Sequence, residues 1–172
     1  GQDNILLPLI AAGKIEVVFE DWAADWKPDA AKKIMNAAVT KAGSAIDAVV
    51  ASNDATAGGV IQALTEEGLA GKVIVTGQDA DLAACQRILR GTQAMTVYKP
   101  VKNLAVRAAQ VAVSLAKGAP PATQAVVNNG FEDVPAILEP VIALDRTNLE
   151  ATIVGDGFHK KEQLGAGRST RE

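Results

Sequence analysis

Polar side chains follow three β-branched segments of the sequence at the point where each segment ends. Asn53 and Asp54 follow residues 46–51, Asp79 and Asp81 follow residues 72–76, and Lys99 follows residues 94–98. Two tryptophans, Trp22 and Trp26, come after a fourth such segment at residues 15–19. If the four segments are parallel strands of one sheet, their carboxyl ends meet at one rim. An indole, an amide, a carboxylate and an ammonium group would then gather there.

This combination of groups suits an uncharged, polyhydroxylated ligand. Each hydroxyl both donates and accepts, and Asp and Asn side chains can satisfy two neighbouring hydroxyls at once. An indole covers the apolar C–H face of a pyranose and excludes water from it. The sequence therefore predicts a sugar-binding rim.

Each of these residues also has a plainer interpretation. Asn53 or Asp54 would serve as the N-cap of a helix from Ala55, and Asp79 or Asp81 would do the same before Leu82. Lys99 by itself reads as a surface lysine, and Trp26 as a packing residue. Capping and ligand binding are compatible within one loop, because one residue can cap while its neighbour faces the ligand.

Catalytic signals are lacking in the sequence. It has no G-x-S-x-G elbow, no Walker loop and no G-x-G-x-x-G motif. The single histidine, His159, lies near the end of the chain, where a structural role is expected, and the single cysteine, Cys85, falls on a helical apolar face. A single cysteine excludes a multi-cysteine metal site, and a single histidine excludes a site that needs two imidazoles. We therefore predict a binding protein with no enzymatic activity, no cofactor and no metal.

Composition supports an ordinary globular domain. The chain has 172 residues, of which 48% are hydrophobic and 22% charged, and its net charge is −3. A chain of this length can bury a real core. The slightly acidic balance argues against binding to a nucleic-acid backbone. No signal peptide is visible in the sequence.

Strand-like and helix-like segments alternate along the chain, which predicts an α/β fold with a parallel sheet flanked by helices. The predicted strands are 15–19, 46–52, 72–76, 94–98, 125–127 and 141–144. The predicted helices are 4–12, 28–41, 55–67, 82–89 and 101–116. No strand precedes the first helix, and the alternation breaks down after residue 116.

Several segments resemble the periplasmic sugar-binding proteins of bacterial ABC transporters, in particular the members that bind D-xylose. The matching segments are 46–59, 77–82, 95–100, 128–130, 133–135 and 156–160. The resemblance runs from about residue 1 to residue 164. It implies a type I periplasmic-binding-protein fold, in which two α/β lobes close over a sugar. It also implies that Trp26 stacks on the sugar, in preference to Trp22, and that Asn53, Asp79 and Lys99 bond its hydroxyls.

The same resemblance implies a division of the chain. Residues 1–99 would form the carboxyl-terminal sugar-binding lobe without its first strand, and residues 100–134 would belong to an amino-terminal lobe that is largely missing. Residues 135–164 would return to complete the carboxyl-terminal lobe, and 165–172 would be a disordered or appended tail. We expect an isolated chain of this kind to bind xylose weakly and to expose an apolar face of helix 101–116. The missing lobe, supplied for example as a second chain, would restore the cleft.

The expected partners are D-xylose and the membrane permease of an ABC transporter, with no nucleic acid. The expected location is periplasmic or otherwise extracytoplasmic, in a secreted or lipid-anchored protein. The alternative is a sugar-sensing receptor or the effector domain of a repressor with the same fold. An α/β enzyme acting on sugars is a further rival, but it would need a nucleophile, a metal or a phosphate loop.

Overall fold

The computed structural model describes residues 1–119 and 122–165. The helices are α1 (Gln2–Ala11), a 310 helix (Ala24–Trp26), α2 (Pro28–Ala42), α3 (Asp54–Glu66), α4 (Leu82–Arg90), α5 (Val101–Ala116), α6 (Leu149–Gly155) and α7 (Lys161–Gly165). The strands are β1 (Ala48–Val49), β2 (Ile74–Val75), β3 (Thr96–Tyr98), β4 (Ala125–Asn128), β5 (Asp133–Ala136) and β6 (Ile142–Leu144). The tail predicted from residue 165 lies outside the described residues, apart from Gly165 at the end of α7.

The predicted helices are confirmed to within about two residues at each end. Pro28 occupies the first turn of α2, where its missing N–H costs nothing. Gly43 ends α2, and Gly91 ends α4 in the left-handed conformation, with φ 82°. The proline therefore fixes where α2 begins, and the glycines fix where α2 and α4 end.

Most strands are shorter than the sequence predicts, and two expectations are wrong among the described residues: one predicted strand is absent, and β3 does not belong to the sheet of β1 and β2. β1 and β2 pair in parallel, with Ala48 opposite Ile74 and Val49 opposite Val75. Residues 15–19 form no strand within the described part of the chain, although Val18 and Phe19 pack against the core. A strand needs a neighbour that accepts and donates its backbone hydrogen bonds, so apolar, β-branched residues alone do not make one.

The chain divides into two compact units, and the first comprises Gly1–Thr96 together with the described residues from Leu144 onward. Helices α2 and α3 pack on each other beside β1 and β2, and Ala57, Leu64 and Val75 are fully buried among them. Further buried residues lie on α4, α6 and α7, and α7 contacts both of the other helices. These residues are Ala84, Cys85, Ile88, Leu149, Ile153 and Leu164.

The second unit is Val97–Ala143, and it holds α5 and an antiparallel hairpin of β4 and β5. The sequence did not predict β5. Helix α5 buries none of its residues, and Val101, Val113 and Leu115 are more than half exposed. The predicted exposure of an apolar face on this helix is thus confirmed. No helix among the described residues combines the length and hydropathy needed to cross a bilayer.

Candidate functional site

Trp26 ends the 310 helix that leads into α2. Its side chain is exposed over 61% of its surface, and its backbone is left-handed, with φ 57°. Trp22 is 91% exposed. Neither indole is a core residue, so the packing interpretation of Trp26 does not hold in this structure. Both rings present aromatic surface to solvent, and Trp26 is the more sheltered of the two.

Asn53 is the N-cap of α3. Its Oδ1 accepts hydrogen bonds from the Thr56 backbone N at 2.9 Å and from Thr56 Oγ1 at 2.7 Å. The Thr56 hydroxyl oxygen accepts in return from Asn53 N, at 3.3 Å, which completes a capping box. The capping interpretation of Asn53 is therefore confirmed. The cap uses Oδ1 and leaves Nδ2, the donor atom of the carboxamide, outside its hydrogen bonds.

Asp79 lies in the loop between β2 and α4, where it is partly buried. Asp81 occupies the N-cap position of α4 but makes no side-chain capping bond, so the capping interpretation is wrong for Asp81. The capping interpretation of Asp79 stays a prediction.

The loops that carry Asn53 and Asp79 are joined directly through Asp54. The Asp54 backbone N donates to Gln78 O at 2.8 Å, and Asp54 Oδ2 accepts from Asp81 N at 2.9 Å. These two bonds hold the carboxyl-terminal ends of β1 and β2 side by side. The predicted neighbourhood of Asn53 and Asp79 at one edge of the sheet follows from this pairing.

Asp54 is also the centre of a buried polar group, which we name the Asp54 cluster: Asp54, Arg87, Gln93 and Thr96. The Asp54 carboxylate is 1% exposed and accepts from Gln93 Nε2 at 2.8 Å and from Thr96 Oγ1 at 2.9 Å. Arg87 donates from Nη2 to Asp54 O at 2.7 Å and from Nε to Gln93 Oε1 at 2.9 Å. Among the described residues, no buried side-chain nitrogen or oxygen lacks a partner.

Burial controls the ionisation of this region. It raises the pKa of Asp54, and the hydrogen bonds from Gln93, Asp81 N and Thr96 oppose that rise. Burial, reinforced by the negative charges of Asp54 and Asp81, also raises the pKa of the Cys85 thiol to about 12. Cys85 is therefore a protonated core residue and no nucleophile, in agreement with its predicted role. Burial lowers the pKa of Arg87.

Backbone strain is concentrated at two of the candidate ligand positions. Among the described residues, the non-glycine residues with positive φ are Asp25 and Trp26, at 53° and 57°, and Asp79 and Ala80, at 106° and 55°. Side chains disfavour this region, which is populated where the surroundings impose it and often at functional sites. Both pairs include a residue selected from the sequence as a sugar ligand.

His159 and Lys99 are placed differently from these loops. His159 Nε2 lies 2.8 Å from Ala80 O, to which it donates, so this side chain ties the end of α6 to the Asp79 loop. Its predicted structural role is confirmed. Lys99 follows β3 in the second unit and is partly buried. Its part in a site with Trp26, Asn53 and Asp79 stays a prediction.

The sequence did not predict the Asp54 cluster, because it indicated only a capping or supporting role for Asp54. Gln93 and Thr96 are separated from Asp54 by about forty positions and belong to no recognisable motif. The one local signal was an acid directly after Asn53, and that signal equally fits a helix first turn. Among the described residues, no group of His, Cys, Asp and Glu could hold a metal ion.

Comparison with known proteins agrees with this architecture. The model of the periplasmic binding protein domain matches residues 3–120, and the chain therefore belongs to the periplasmic binding protein family. Over 164 residues it is 52% identical to the D-xylose-binding periplasmic protein of Haemophilus influenzae and 51% identical to that of Escherichia coli. These alignments cover 95% of this chain and 49% and 50% of the relatives, so the chain spans about half the length of the curated relatives it matches.

Solved structures show the same fold. A carbohydrate transporter solute-binding protein from Chloroflexus aurantiacus, in complex with D-glucose, is 31% identical with a TM-score of 0.81 over 93% of this chain and 54% of that one. A solute-binding protein from Clostridium phytofermentans with bound β-D-glucose is 29% identical, with a TM-score of 0.80 over 94% of this chain and 53% of that one. The predicted type I periplasmic-binding-protein fold is confirmed.

Proposed function

We propose that this chain is part of the solute-binding component of a sugar ABC transporter and takes part in binding D-xylose. Trp26 covers the C–H face of the sugar, and Asn53 and Asp79 bond its hydroxyls. Lys99 is the fourth proposed contact, and its assignment rests on its position after a predicted strand and on the sequence resemblance. The protein binds its ligand without changing it, and it uses no cofactor.

One observation carries this proposal. The loops that carry Asn53 and Asp79 are held together at the ends of two parallel strands by the hydrogen bonds of Asp54 with Gln78 O and Asp81 N. Such an edge is where ligands of open α/β sheets bind. The relatives at 52% and 51% identity, which are named for D-xylose, indicate which sugar to test first.

The chemistry of the two side chains is complementary. The Asp79 carboxylate accepts hydrogen bonds, and a bond between a hydroxyl and a charged group contributes about 1.5–3 kcal/mol. The Asn53 carboxamide donates through Nδ2, the atom that its capping box does not use. One acceptor and one donor at a common edge can together engage two adjacent hydroxyls of a pentose.

The test is an NMR titration of 15N-labelled protein with D-xylose, repeated with D-glucose and D-ribose. Saturable shifts should appear at the backbone amides of Asn53 and Asp79 and at the indole N–H of Trp26. The indole N–H of Trp22, which is more exposed, is the internal control and should stay in place. Asp79→Asn should weaken xylose binding about ten- to a hundredfold, as expected for the loss of a charged acceptor.

Two results would contradict the proposal. The first is the absence of any saturable NMR shift at xylose concentrations far above those used for complete, two-lobe receptors. The second is tighter binding of D-glucose or D-ribose than of D-xylose, which would leave a sugar receptor but overturn the choice of pentose.

A sensing role is the alternative to transport. The chain is 29% identical over 180 residues to a multiple sugar-binding periplasmic receptor of Rhizobium radiobacter. A transport component acts outside the cytoplasm and delivers its sugar to a membrane permease. Deletion of the gene should therefore abolish xylose uptake, whereas a purely sensory protein would leave uptake intact and abolish the response to the sugar.

A further inference from the structure

Asp54 has contacts that its place in a helix does not require. We propose that Asp54 is a positioning residue for sugar binding, whose carboxylate holds the loop at residues 78–81 so that Asp79 keeps its left-handed backbone before a sugar arrives. This inference rests on the proposed function, because Asp79 is taken there as a ligand.

The contacts of the Asp54 carboxylate reach both residues that follow Asp79. Oδ2 accepts from Asp81 N at 2.9 Å and from Thr96 Oγ1 at 2.9 Å. The Thr96 hydroxyl oxygen accepts in turn from Ala80 N at 3.1 Å. Asp54 thus fixes the amide of Asp81 directly and the amide of Ala80 through Thr96.

Two further bonds hold the backbone carbonyl groups directly before and after Asp79. Gln78 O accepts from Asp54 N at 2.8 Å, and Ala80 O accepts from His159 Nε2 at 2.8 Å. Asp79 and Ala80 are consecutive non-glycine residues with φ of 106° and 55°, a backbone conformation that persists only where the surrounding contacts enforce it. The hydrogen bonds to the backbone on either side of Asp79 enforce this conformation. Asp54 makes two of them: its backbone N donates to Gln78 O, and its carboxylate accepts from Asp81 N.

A local role in α3 does not account for this arrangement. An acid in the first turn of a helix is favourable because of the helix dipole, and it needs no further contact. The groups that bond to the Asp54 carboxylate belong instead to Asp81, Gln93 and Thr96, which lie 27, 39 and 42 positions away along the chain. Gly77 packs closely against the carboxylate, because a Cβ at this position would overlap Asp54 Oδ1 and Gln93 Nε2. The space around the carboxylate is therefore fully occupied.

The variant that tests this role is Asp54→Asn. It keeps the shape of the side chain but replaces one carboxylate oxygen by an NH2 group. That donor would face either Gln93 Nε2 or the pair of Asp81 N and Thr96 Oγ1, and all of these groups donate to Asp54. The matched control is Asp29→Asn, because Asp29 is the exposed acid in the first turn of α2 and bonds to nothing in that loop. Thr96→Val is the second variant, in case Asp54→Asn fails to fold.

Two measurements apply to each variant. In the sugar-free protein, amide hydrogen exchange should accelerate about tenfold or more at Ala80 and Asp81, with Ala63 and Leu64 of α3 unchanged as internal references. In the NMR titration, the Kd for D-xylose should rise about tenfold, the effect of one lost bond to a charged group. Asp29→Asn should change neither quantity.

A double-mutant cycle separates positioning from general stability. If Asp54 acts through Asp79, then Asp54→Asn should cost less than about twofold in xylose affinity when Asp79 is already alanine. An undiminished loss in the Asp79→Ala background would overturn the proposal. So would faster exchange that includes Ala63 and Leu64, because it would indicate a role in the fold as a whole.

The proposed function and this inference fail in different ways. Unchanged exchange at Ala80 and Asp81, together with intact xylose binding, overturns the role of Asp54 and leaves the sugar-binding proposal standing. A wild-type protein that binds no xylose overturns the sugar-binding proposal, and the positioning role falls with it even where exchange accelerates as expected.

Discussion

Helix α3 carries two adjacent glycines, Gly58 and Gly59, whose replacement by alanine should have opposite effects on stability. A Cβ at Gly58 would meet the side chain of Arg87, with the guanidinium Nη1 at 3.3 Å, and a shift of that side chain by a few tenths of an ångström would relieve the contact. A Cβ at Gly59 would overlap the backbone oxygen of Pro28 and approach Lys32 N at 3.1 Å. Both of those neighbours are main-chain atoms of α2, so relief requires the two helices to separate.

The magnitudes follow from these contacts. Alanine in a helix interior is favoured over glycine by about 1 kcal/mol, and Gly58→Ala should therefore be neutral or stabilising by up to that amount. Overpacking a core usually costs about 1–3 kcal/mol, and a clash with backbone belongs at the upper end. Gly59→Ala should then lose about 2 kcal/mol net of its helix propensity. The two variants should differ by roughly 2–3 kcal/mol, or about 4–12 °C in Tm for a chain of this size.

Thermal and urea unfolding followed by circular dichroism measure this difference, with Gly58→Ala as the matched control. Because Pro28 lies two residues after Trp26, displacement of α2 should also change the intrinsic fluorescence of Gly59→Ala. The reasoning is refuted if Gly59→Ala melts at or above the temperature of Gly58→Ala. That result would mean that α2 and α3 accommodate a methyl group at their point of closest approach.

Three further predictions concern the candidate site and its surroundings. Trp26→Ala should remove any xylose-induced change in fluorescence and weaken binding about tenfold, whereas Trp22→Ala should preserve both; the reverse pattern would assign stacking to Trp22. Because its pKa is raised to about 12, the Cys85 thiol should resist iodoacetamide at pH 8 in the folded protein and react only on unfolding; rapid native labelling would contradict its burial. Hydrogen bonds from Thr147 lower the pKa of Asp145 below 3.8, so their contribution to stability is present above that value and is lost as the pH falls through the lowered pKa. Thr147→Val should raise the pKa of Asp145 in an NMR titration, and an unchanged pKa would show that Thr147 does not cause the shift.

The helices were predictable because their signals are local. Pro28 begins α2, and Gly43 and Gly91 end α2 and α4 at the expected positions. Helix α5 has the predicted bounds, Val101–Ala116. Each of these signals acts within one or two turns of the chain, so no knowledge of the tertiary structure is needed to read it.

The strands were less predictable because a strand depends on its neighbour. Residues 15–19 have the same β-branched character as the segment that contains β1, yet only the latter has a partner strand among the described residues. The hairpin of β4 and β5 was half missed for a related reason, since Pro135 lies within β5 and argues locally against a strand.

The amino-acid sequence by itself determined the fold class, because periodicity and caps depend on neighbouring residues. Its resemblance to known proteins indicated the family, and its strand-end loops supplied the residues of the proposed sugar site. Only the tertiary structure decided that Asn53 caps α3, that Asp81 does not cap α4, and that Asp54 bonds to Gln93 and Thr96. Those outcomes depend on which polar groups meet when distant segments pack, and on the cost of burying any of them without a partner.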